Sequence, residues 1–308
     1  MDILYFDCLA GISGDMTIGA LLDLGVEEDK LMSELNKIEL DGYQLKVSKA
    51  QKSGITGTDF QVQIENTNSH KTESHGSAGE DSDDHSHGHS HEHNHTHDHD
   101  HTHEHDHSHS NHDDHEHNHS HENHEEHSHD HGDHQHRNLH DIKHLINDSN
   151  LDDKVKELSL NMFQLVAEAE AKVHNKDVAE VHFHEVGAVD SIVDIVGVAI
   201  CIRELDVDKV YASNLHIGTG FVECAHGTIP VPAPATTEIL RDVPVYSKGV
   251  ESELITPTGA AIIKTLADEF GPVPEMIIDR TGYGLGDRDL EITNLLRVYR
   301  GKKKVKKL

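Results

Sequence analysis

The sequence predicts an α/β or α+β protein: a mixed sheet with flanking helices, interrupted by a long disordered insert that is rich in histidine. Short apolar runs typical of strands alternate along the chain with longer segments whose apolar residues recur at helical spacing. Residues 67–138 break this alternation because they contain almost no apolar side chains. The fold must therefore be built from the segments on either side of them.

The first flanking segment, residues 1–66, begins with a strand-like apolar run and continues through a glycine-containing turn into residues with helical spacing. A second amphipathic helix and two alternating segments, typical of paired strands, follow. The predicted elements are a strand at 3–6, a helix starting near 16, a helix at 27–38, and strands at 43–48 and 58–64.

The second flanking segment, residues 139–300, is the main domain that completes the fold, and residues 301–308 are a solvated basic tail. Its central helix is apolar on most faces and should be buried. Pro257 suits the first turn of a later helix, where the fixed φ of proline is tolerated. The predicted elements are helices at 151–173, 190–205, 236–240 and 257–270, strands at 210–212 and 295–299, and a glycine turn at 282–286.

The insert, residues 67–138, holds most of the histidine in the chain. Between His70 and His136 lie 26 of the 33 histidines, and from His85 to His109 every second residue is histidine. Such a segment cannot bury enough apolar surface to offset its ordering entropy, so we predict disorder in the absence of metal. The sequence does not decide whether the insert interrupts one folded unit or separates two subdomains.

The charge of the chain limits its partners. The net charge is −31 with histidine neutral, and the insert carries 18 acids against Lys71 and Arg137, which leaves about −15 on the remainder. Charge of this sign disfavours nucleic acids and anionic membranes and favours a cation as partner.

The cysteine count and the N-terminus indicate the compartment. Three widely spaced cysteines give no disulfide framework, which favours a reducing environment. The N-terminus lacks the basic flank of a signal peptide, and no apolar run approaches the ~20 residues of a membrane-spanning helix. We therefore expect a cytoplasmic protein.

The histidine tract predicts binding of a late transition metal, because neutral imidazole is a good ligand for nickel, copper, zinc and cobalt. With about four imidazoles per ion, the tract could hold on the order of six ions. A polar spacer, a purification tag and a pH-responsive linker are the alternatives, and zinc storage competes with nickel handling. The candidate ligands include His85, His87, His89, His91 and His93.

A second candidate site combines imidazoles and carboxylates within 13 residues. His182 and His184 project to the same side of an extended segment, with Glu185 next to them. Asp190 and Asp194 share one face of the following helix. These groups can form a nitrogen and oxygen metal site or an acid–base pair. The alternative is edge-strand histidines beside a solvated stripe, although carboxylates among apolar neighbours need a partner.

A third candidate lies in the turn after the first strand, where ligands bind in many α/β sheets. Gly11 and Gly14 expose backbone N–H groups that could hold a phosphate at a helix N-terminus. Asp7 and Asp15 could instead bind a cation. The turn lacks the lysine of a P-loop and the spacing of a dinucleotide fingerprint, and a purely structural turn is an equal alternative.

Two weaker candidates complete the set. Cys224 and His226 offer a thiolate and an imidazole close together, although a half-buried cysteine beside a turn is the more common arrangement. Thr256 and Thr258 most simply begin a helix, but their hydroxyl and N–H groups could hold a phosphate.

The motifs resemble those of the LarC family, the nickel insertases of nickel-pincer cofactor synthesis. Residues 2–16, DILYFDCLAGISGDM, are similar to the N-terminal signature of the family, and residues 182–194, HFHEVGAVDSIVD, are similar to its central motif. The resemblance covers residues 1–66 and 139–300, and the long histidine-rich loop also occurs in relatives. Shorter motifs follow in the order of the family at 218–220, 226–227, 230–234, 256–259 and 282–284.

The resemblance implies a reaction. Members of the family insert Ni(II) into pyridinium-3,5-bisthiocarboxylic acid mononucleotide and form a carbon–nickel bond flanked by two sulfur ligands. Insertion depends on CTP, supported by Mn(II) or Mg(II), and the product serves lactate racemase and related enzymes. By this resemblance the chain is a nickel insertase of the lyase class.

The resemblance also implies a partner, because CTP and its metal bind a C-terminal domain of the family. We therefore expect activity to require a C-terminal partner chain or a read-through domain, and the sequence leaves a homo-oligomer open. Within the chain, the candidates for holding a triphosphate are Gly11, Gly14, Thr256 and Thr258.

Our working hypothesis assigns metal delivery to the histidine tract and transfer to His182, His184 and Glu185. Glu185 or Asp190 then accepts the ring proton, a step that suits a base with a pKa near neutral. Two other classes remain open: a nickel or zinc storage protein or metallochaperone without catalysis, and a metal-dependent phosphoester hydrolase that uses Asp7, Asp15 and the same histidines.

Overall fold

Helices and strands alternate along the chain, as the periodicity predicts. The computed structural model describes residues 1–65, 137–181, 183, 188–224 and 227–303. The helices in these ranges are α1 (Gly14–Asp23), α2 (Glu28–Leu35), α3 (Leu139–Asp148), α4 (Asp153–His174), α5 (Val189–Leu205), α6 (Pro234–Ile239) and α7 (Pro257–Leu266). The strands are β1 (Asp2–Asp7), β2 (Tyr43–Lys52), β3 (Ile55–Ile64), β4 (Lys209–Ala212), β5 (Leu215–His216), β6 (Phe221–Cys224), β7 (Gly227–Pro230), β8 (Val245–Tyr246), β9 (Glu269–Phe270), β10 (Met276–Leu285) and β11 (Leu295–Lys303).

Seven of the described strands form one mixed sheet in the order β2-β3-β10-β11-β1-β4-β9. Strand β1 pairs antiparallel with β11 and parallel with β4. Strands from both sides of the insert therefore belong to the same sheet, and the described residues form one folded unit. The predicted mixed sheet with flanking helices is confirmed.

Alternation along β1 separates the two faces of the sheet. Leu4 and Phe6 are buried in the main core under the helices, whereas Ile3 and Tyr5 pack on the opposite face. Full burial of an aliphatic or aromatic side chain of this size stabilises the fold by roughly 1.5–3 kcal/mol. Helix α5 is buried along most of its length, as its composition predicts.

The prediction of a turn at residues 282–286 is wrong, because residues 282–285 belong to strand β10. Helix α1 crosses this part of the strand in direct backbone contact. A Cβ atom on Gly284 would lie 1.8 Å from the carbonyl oxygen of Met16, and one on Gly282 would lie 2.1 Å from that of Ala20. The glycine repeat therefore marks close packing of a helix on a strand.

Two further elements differ from prediction: the end of helix α7 and the presence of helix α3. Helix α7 ends at Leu266, and Phe270 belongs instead to β9, which pairs with β4. Helix α3 is not anticipated by the periodicity. Its sequence signal is a capping box, in which Asn138 and Asp141 each accept a hydrogen bond of 3.0 Å from the backbone N–H of the other.

Parts of the predicted architecture lie outside the described residues, namely residues 66–136 of the insert region and residues 304–308 of the basic tail. The prediction of a tail from residue 301 is wrong for residues 301–303, which continue strand β11. Across the described ranges, no helix is long and apolar enough to cross a membrane.

Candidate functional site

Three helices begin around one cavity of about 390 Å³. A second cavity of about 450 Å³ shares Asp15, Asp190 and Asp194 with the first and extends along β3 to Asp287. We call the two together the carboxylate cavity. Six residues that the sequence predicts as site residues line it: Gly14, Asp15, Asp190, Asp194, Thr256 and Thr258.

The helix N-termini give the cavity a source of positive potential. The N-cap residues Ser13 of α1 and Ala188 of α5 make no side-chain cap. In the first turn of α1, the backbone N–H groups of Asp15 and Met16 instead interact with the carboxylates of Asp194 and Asp15. The N–H groups and the dipole at a helix N-terminus attract an anion. In α7, by contrast, the Thr256 hydroxyl caps the helix by accepting a hydrogen bond of 3.1 Å from the N–H of Gly259.

Asp194 is the most perturbed group in the cavity. Its Oδ1 atom is buried and has no hydrogen-bond partner. Burial, and then the negative charges of Asp15 and Asp190, hold the pKa of the Asp194 carboxyl well above its usual range, while the N–H of Asp15 partly opposes this. A carboxylate that is buried without a partner is unstable unless a proton or a ligand compensates its charge.

The pKa of Asp15 is also raised, mainly by burial and further by the charge of Asp287, although a hydrogen bond from Ser13 lowers it. Ionisation of one of the two carboxyls, Asp15 or Asp194, therefore disfavours ionisation of the other. Asp190 is exposed at the entrance. The i, i+4 spacing of Asp190 and Asp194 places both on the cavity side of α5, as the sequence predicts.

Gly14 is needed for the position of Asp194. A Cβ atom on Gly14 would lie 2.3 Å from Oδ2 and 2.5 Å from both Cβ and Cγ of Asp194. Contacts this short do not occur, so α5 would have to move to admit a side chain. Glycine at this position thus brings the Asp194 carboxylate against the first turn of α1.

Gly11 has a different role and does not line the cavity. Its φ of +94° lies in the region that favours glycine, and a Cβ atom would meet the Leu254 carbonyl oxygen at 1.9 Å. The adjacent Ile12 N–H donates to that same oxygen at 2.9 Å, and the Gly11 N–H donates to Cys8 at 3.1 Å. Gly11 therefore fixes the turn beside the segment that leads into α7.

These contacts do not suit a triphosphate. The Gly11 N–H and the Thr256 hydroxyl already have partners, and carboxylates line most of the polar surface. Arg288 is the one Lys or Arg side chain among the described residues that line the cavity. A single phosphate group at the N-termini of α1 and α5 is compatible with this balance of charge.

Several predicted ligands lie outside the described residues: His182, His184, Glu185, His226 and the tract histidines His85, His87, His89, His91 and His93. Phe183 is described and shows where the central motif is anchored. It is buried beside Phe163, with ring centroids 6.3 Å apart, and its N–H donates to the Arg137 carbonyl oxygen at 3.2 Å. The motif thus leads directly into α5, which carries Asp190 and Asp194.

Within the described ranges, no three His, Cys, Asp or Glu side chains are grouped so that they could hold a metal ion together. The carboxylates of Asp15, Asp190 and Asp194 line the cavity without converging on one point. Carboxylate oxygens alone favour hard cations such as magnesium, whereas nickel also accepts imidazole and sulfur. The described part of the site can therefore complete the coordination of nickel only together with other donors.

The structure separates Asp7 from the other predicted ligands. Its Oδ2 accepts hydrogen bonds from Nε of Arg297 at 3.0 Å and from Nη2 of the same side chain. Asp7 is 8% exposed and does not line the carboxylate cavity. The structure therefore places Asp7 in an ion pair that joins β1 to β11.

We expect Arg297→Met to destabilise the fold by about 2–4 kcal/mol, because it leaves the Asp7 carboxylate buried without a partner. Arg300→Met on the same strand is the matched control, since Arg300 donates to a carbonyl oxygen, that of Leu205. Urea denaturation measures both variants. An unchanged free energy of unfolding in Arg297→Met would contradict the structural role of the pair.

Cys224 lies at the end of β6 and lines a separate cavity of about 350 Å³. Its thiol donates to the carbonyl oxygen of Gly227 at 3.4 Å. This cavity shares Glu253, Pro257 and Arg288 with the carboxylate cavity. The predicted thiol site and the predicted carboxylate site are therefore neighbours, although they are far apart in the sequence.

Arg288 is the main site residue that the sequence does not reveal. It lines both cavities, and its Nη2 lies 3.2 Å from Oε2 of Glu253. Its backbone carbonyl accepts hydrogen bonds from Lys52 at 2.8 Å and Asn294 at 3.1 Å, which hold its loop in place. No motif marks this loop, because its role depends on contacts between distant segments.

The fold and the site define a mixed α/β protein with an acidic ligand cavity at the N-termini of three helices. The sequence profile of the family described as "Nickel insertion protein" matches residues 4–307. The chain belongs to this family, which confirms the resemblance that its motifs indicate.

Curated relatives agree with this assignment. The chain is 50% identical over 302 residues to the pyridinium-3,5-bisthiocarboxylic acid mononucleotide nickel insertion protein of Clostridium acetobutylicum. The aligned region covers 98% of the chain and 64% of the relative. It is 46% identical to the protein of the same name from Clostridium kluyveri, covering 98% of the chain and 62% of the relative. The chain thus spans about three fifths of the length of these relatives. No solved structure matches the chain significantly.

Proposed function

We propose that the carboxylate cavity is where Ni²⁺ is inserted into pyridinium-3,5-bisthiocarboxylic acid mononucleotide. Family membership and the names of the two Clostridium relatives support this substrate. The observation that carries the proposal is the Asp194 carboxylate beside the first turn of α1, whose buried Oδ1 atom has no hydrogen-bond partner. Buried polar groups without partners are rare and are expected where a ligand binds.

The proposed chemistry requires a proton acceptor. Insertion replaces a ring C–H bond by a carbon–nickel bond: Ni²⁺ adds to the carbon, and the hydrogen leaves as a proton. We assign acceptance of that proton to Asp194, because its raised pKa makes it a stronger base than an ordinary carboxylate. This replaces Glu185 and Asp190, which the sequence alone favours as the base.

The described residues also suggest how the substrate is oriented. The positive N-terminal ends of α1 and α5 suit the phosphate of a mononucleotide, with Arg288 at the boundary to the Cys224 cavity. Asp15 and Asp190 face the incoming metal, and the proposal retains His182 and His184 as the imidazole ligands that carry nickel to them. Sulfur atoms of the substrate then complete its coordination.

The proposal further includes CTP with Mn²⁺ or Mg²⁺, bound by a C-terminal partner, and a cytoplasmic location. The acidic lining of the cavity supports placing the triphosphate elsewhere. The product would serve lactate racemase and related enzymes. The described residues of the cavity do not suit a nucleoside triphosphate.

Incubation of the full chain with Ni²⁺, the mononucleotide, Mn–CTP and a C-terminal partner tests this function. Mass spectrometry should show a mononucleotide that has gained nickel and lost the displaced protons. A storage protein or metallochaperone would bind nickel without changing the mononucleotide. A phosphoester hydrolase would release inorganic phosphate from it, and either result would contradict the proposal.

The histidine tract is expected to set the nickel concentration that the reaction needs. Replacing the 13 histidines between residues 85 and 109 by asparagine keeps the length of the insert but removes half of its 26 imidazole ligands. Half-maximal product formation should then require more Ni²⁺, with the same maximal rate at saturation. The difference should shrink below pH ~6.5, because protonated imidazole does not bind metal.

The measurement is the initial rate of insertion as a function of free Ni²⁺, for wild type and the asparagine variant. A loss of activity that saturating nickel does not restore would show that the tract takes part in the chemistry rather than in delivery.

A further inference from the structure

Two histidines on α3 lie closer together than side chains on a helix surface usually do. The Nε2 atoms of His140 and His144 are 3.1 Å apart, with ring centroids separated by 4.4 Å and ring planes at 63°. Both side chains are exposed. They occupy positions i and i+4, so the helix holds them on one face.

This separation matches two ligands of one metal ion. For an ion 2.0–2.1 Å from each nitrogen, the angle Nε2–metal–Nε2 would be about 95–102°. That angle lies between the ideal values for octahedral and tetrahedral coordination. Neutral imidazole binds nickel, copper and zinc well, whereas it is a poor ligand for magnesium and calcium. The pair can therefore act as a two-point ligand for a late transition metal.

A third residue on the same face favours the metal-binding form of the ring. Nδ1 of His144 lies 3.8 Å from Oδ2 of Asp148, one further turn along α3. A carboxylate on this side favours the tautomer that carries its proton on Nδ1, which leaves the Nε2 lone pair free for a metal. Carboxylate, histidine and metal in this order is the usual arrangement around imidazole ligands.

We propose that His140 and His144 together bind one divalent late-transition-metal ion, with Ni²⁺ as the expected ion in this family. The site is distinct from the carboxylate cavity, since neither histidine lines it. Helix α3 is the first described helix after the insert. Two residues before it, the backbone carbonyl of Arg137 accepts a hydrogen bond from the N–H of Phe183 in the central motif. A metal bound here is held by the folded unit, where the chain leaves the histidine tract.

The test must report on these two rings alone, because the tract binds nickel as well. Carbethoxylation of histidine by diethyl pyrocarbonate, followed by peptide mass spectrometry, measures each ring separately in the full chain. Ni²⁺ alone is titrated to saturation. We expect both rings to become about tenfold less reactive as nickel occupies their lone pairs.

Single variants then show whether the rings act as a pair. In His140→Ala, the Ni²⁺ concentration that halves carbethoxylation of His144 (half-protection) should rise about tenfold, because the second ligand of the chelate is lost. In His144→Ala, the same rise is expected for half-protection of His140. Asn147→Ala, at an exposed position of the same helix, is the matched control and should behave as wild type. Alanine favours helix, so α3 should persist in all three variants.

Two results would overturn the proposal. Rings that stay equally reactive at every nickel concentration would show a hydrogen-bonded histidine pair without metal affinity. Half-protection at the same Ni²⁺ concentration in wild type and both single variants would show that each ring binds without help from the other.

Discussion

Replacing Asp194 by asparagine is expected to reduce nickel insertion by about 10²–10⁴-fold, the usual contribution of a positioned proton acceptor, while making the folded protein more stable at neutral pH. The variant keeps the shape of the side chain and removes its charge. The buried Oδ1 has no partner, so no described hydrogen bond to that atom is lost. Loss of activity together with a gain in stability distinguishes a functional carboxylate from a structural one.

The sign of the pH dependence follows from the raised pKa of Asp194. In the unfolded chain the carboxyl ionises near its ordinary value of about 3.9, whereas in the folded chain it keeps its proton to higher pH. Ionisation therefore destabilises wild type above the folded pKa, and this loss disappears as the pH falls below both values. The stability advantage of Asp194→Asn should be present at pH 7.5 and largely lost near pH 4.

Urea denaturation at the two pH values measures this difference, which we expect to be about 1–2 kcal/mol at pH 7.5. Asp279→Asn is the control, because Asp279 is exposed on β10 and lines neither part of the cavity. An Asp194→Asn protein that is less stable than wild type at pH 7.5 would show that the carboxylate is structural, and our assignment of the base would fail.

Gly14→Ala is expected to reduce insertion at least about 100-fold, because it displaces Asp194 without altering its chemistry. The new Cβ would overlap three atoms of the Asp194 side chain, including its Cβ, so a change of rotamer cannot relieve the contact. Helix α5 must shift, at a cost of about 1–3 kcal/mol in stability. Activity and stability should therefore fall together.

Gly197→Ala is the matched control for this variant. Gly197 also lies between α1 and α5, but its new Cβ would meet the flexible Cδ1 of Ile18 at 2.8 Å. We expect a small loss of stability and nearly normal activity. Insertion rates and urea denaturation for both variants provide the comparison. Normal insertion by Gly14→Ala would contradict the requirement for Asp194 against the first turn of α1.

The sequence predicts the local parts of this structure well. The apolar run in β1, the buried character of α5 and the shared face of Asp190 and Asp194 follow from periodicity, since each depends on neighbours within one element. The motif that starts α1 is also visible in the sequence, because a turn with glycine before an acidic first turn is a local signal.

Other features depend on contacts between distant segments, which periodicity does not record. The glycine-rich segment 282–286 is typical of a turn in composition, but Gly282 and Gly284 allow α1 to cross β10. Asp7 carries a carboxylate that could bind a metal, but Arg297, 290 residues away in the sequence, holds it in an ion pair. Arg288 has no motif, and only the folded chain brings it to the boundary of two cavities.

Anomalous diffraction at the nickel absorption edge tests the location of the site most directly. Crystals of the full chain with Ni²⁺ and the mononucleotide bound would place both metal and substrate. We predict nickel in the carboxylate cavity within reach of Asp15 and Asp190, the phosphate at the N-termini of α1 and α5, and the reacting carbon facing Asp194. Mononucleotide bound outside this cavity, with Oδ1 of Asp194 still lacking a partner, would contradict the account.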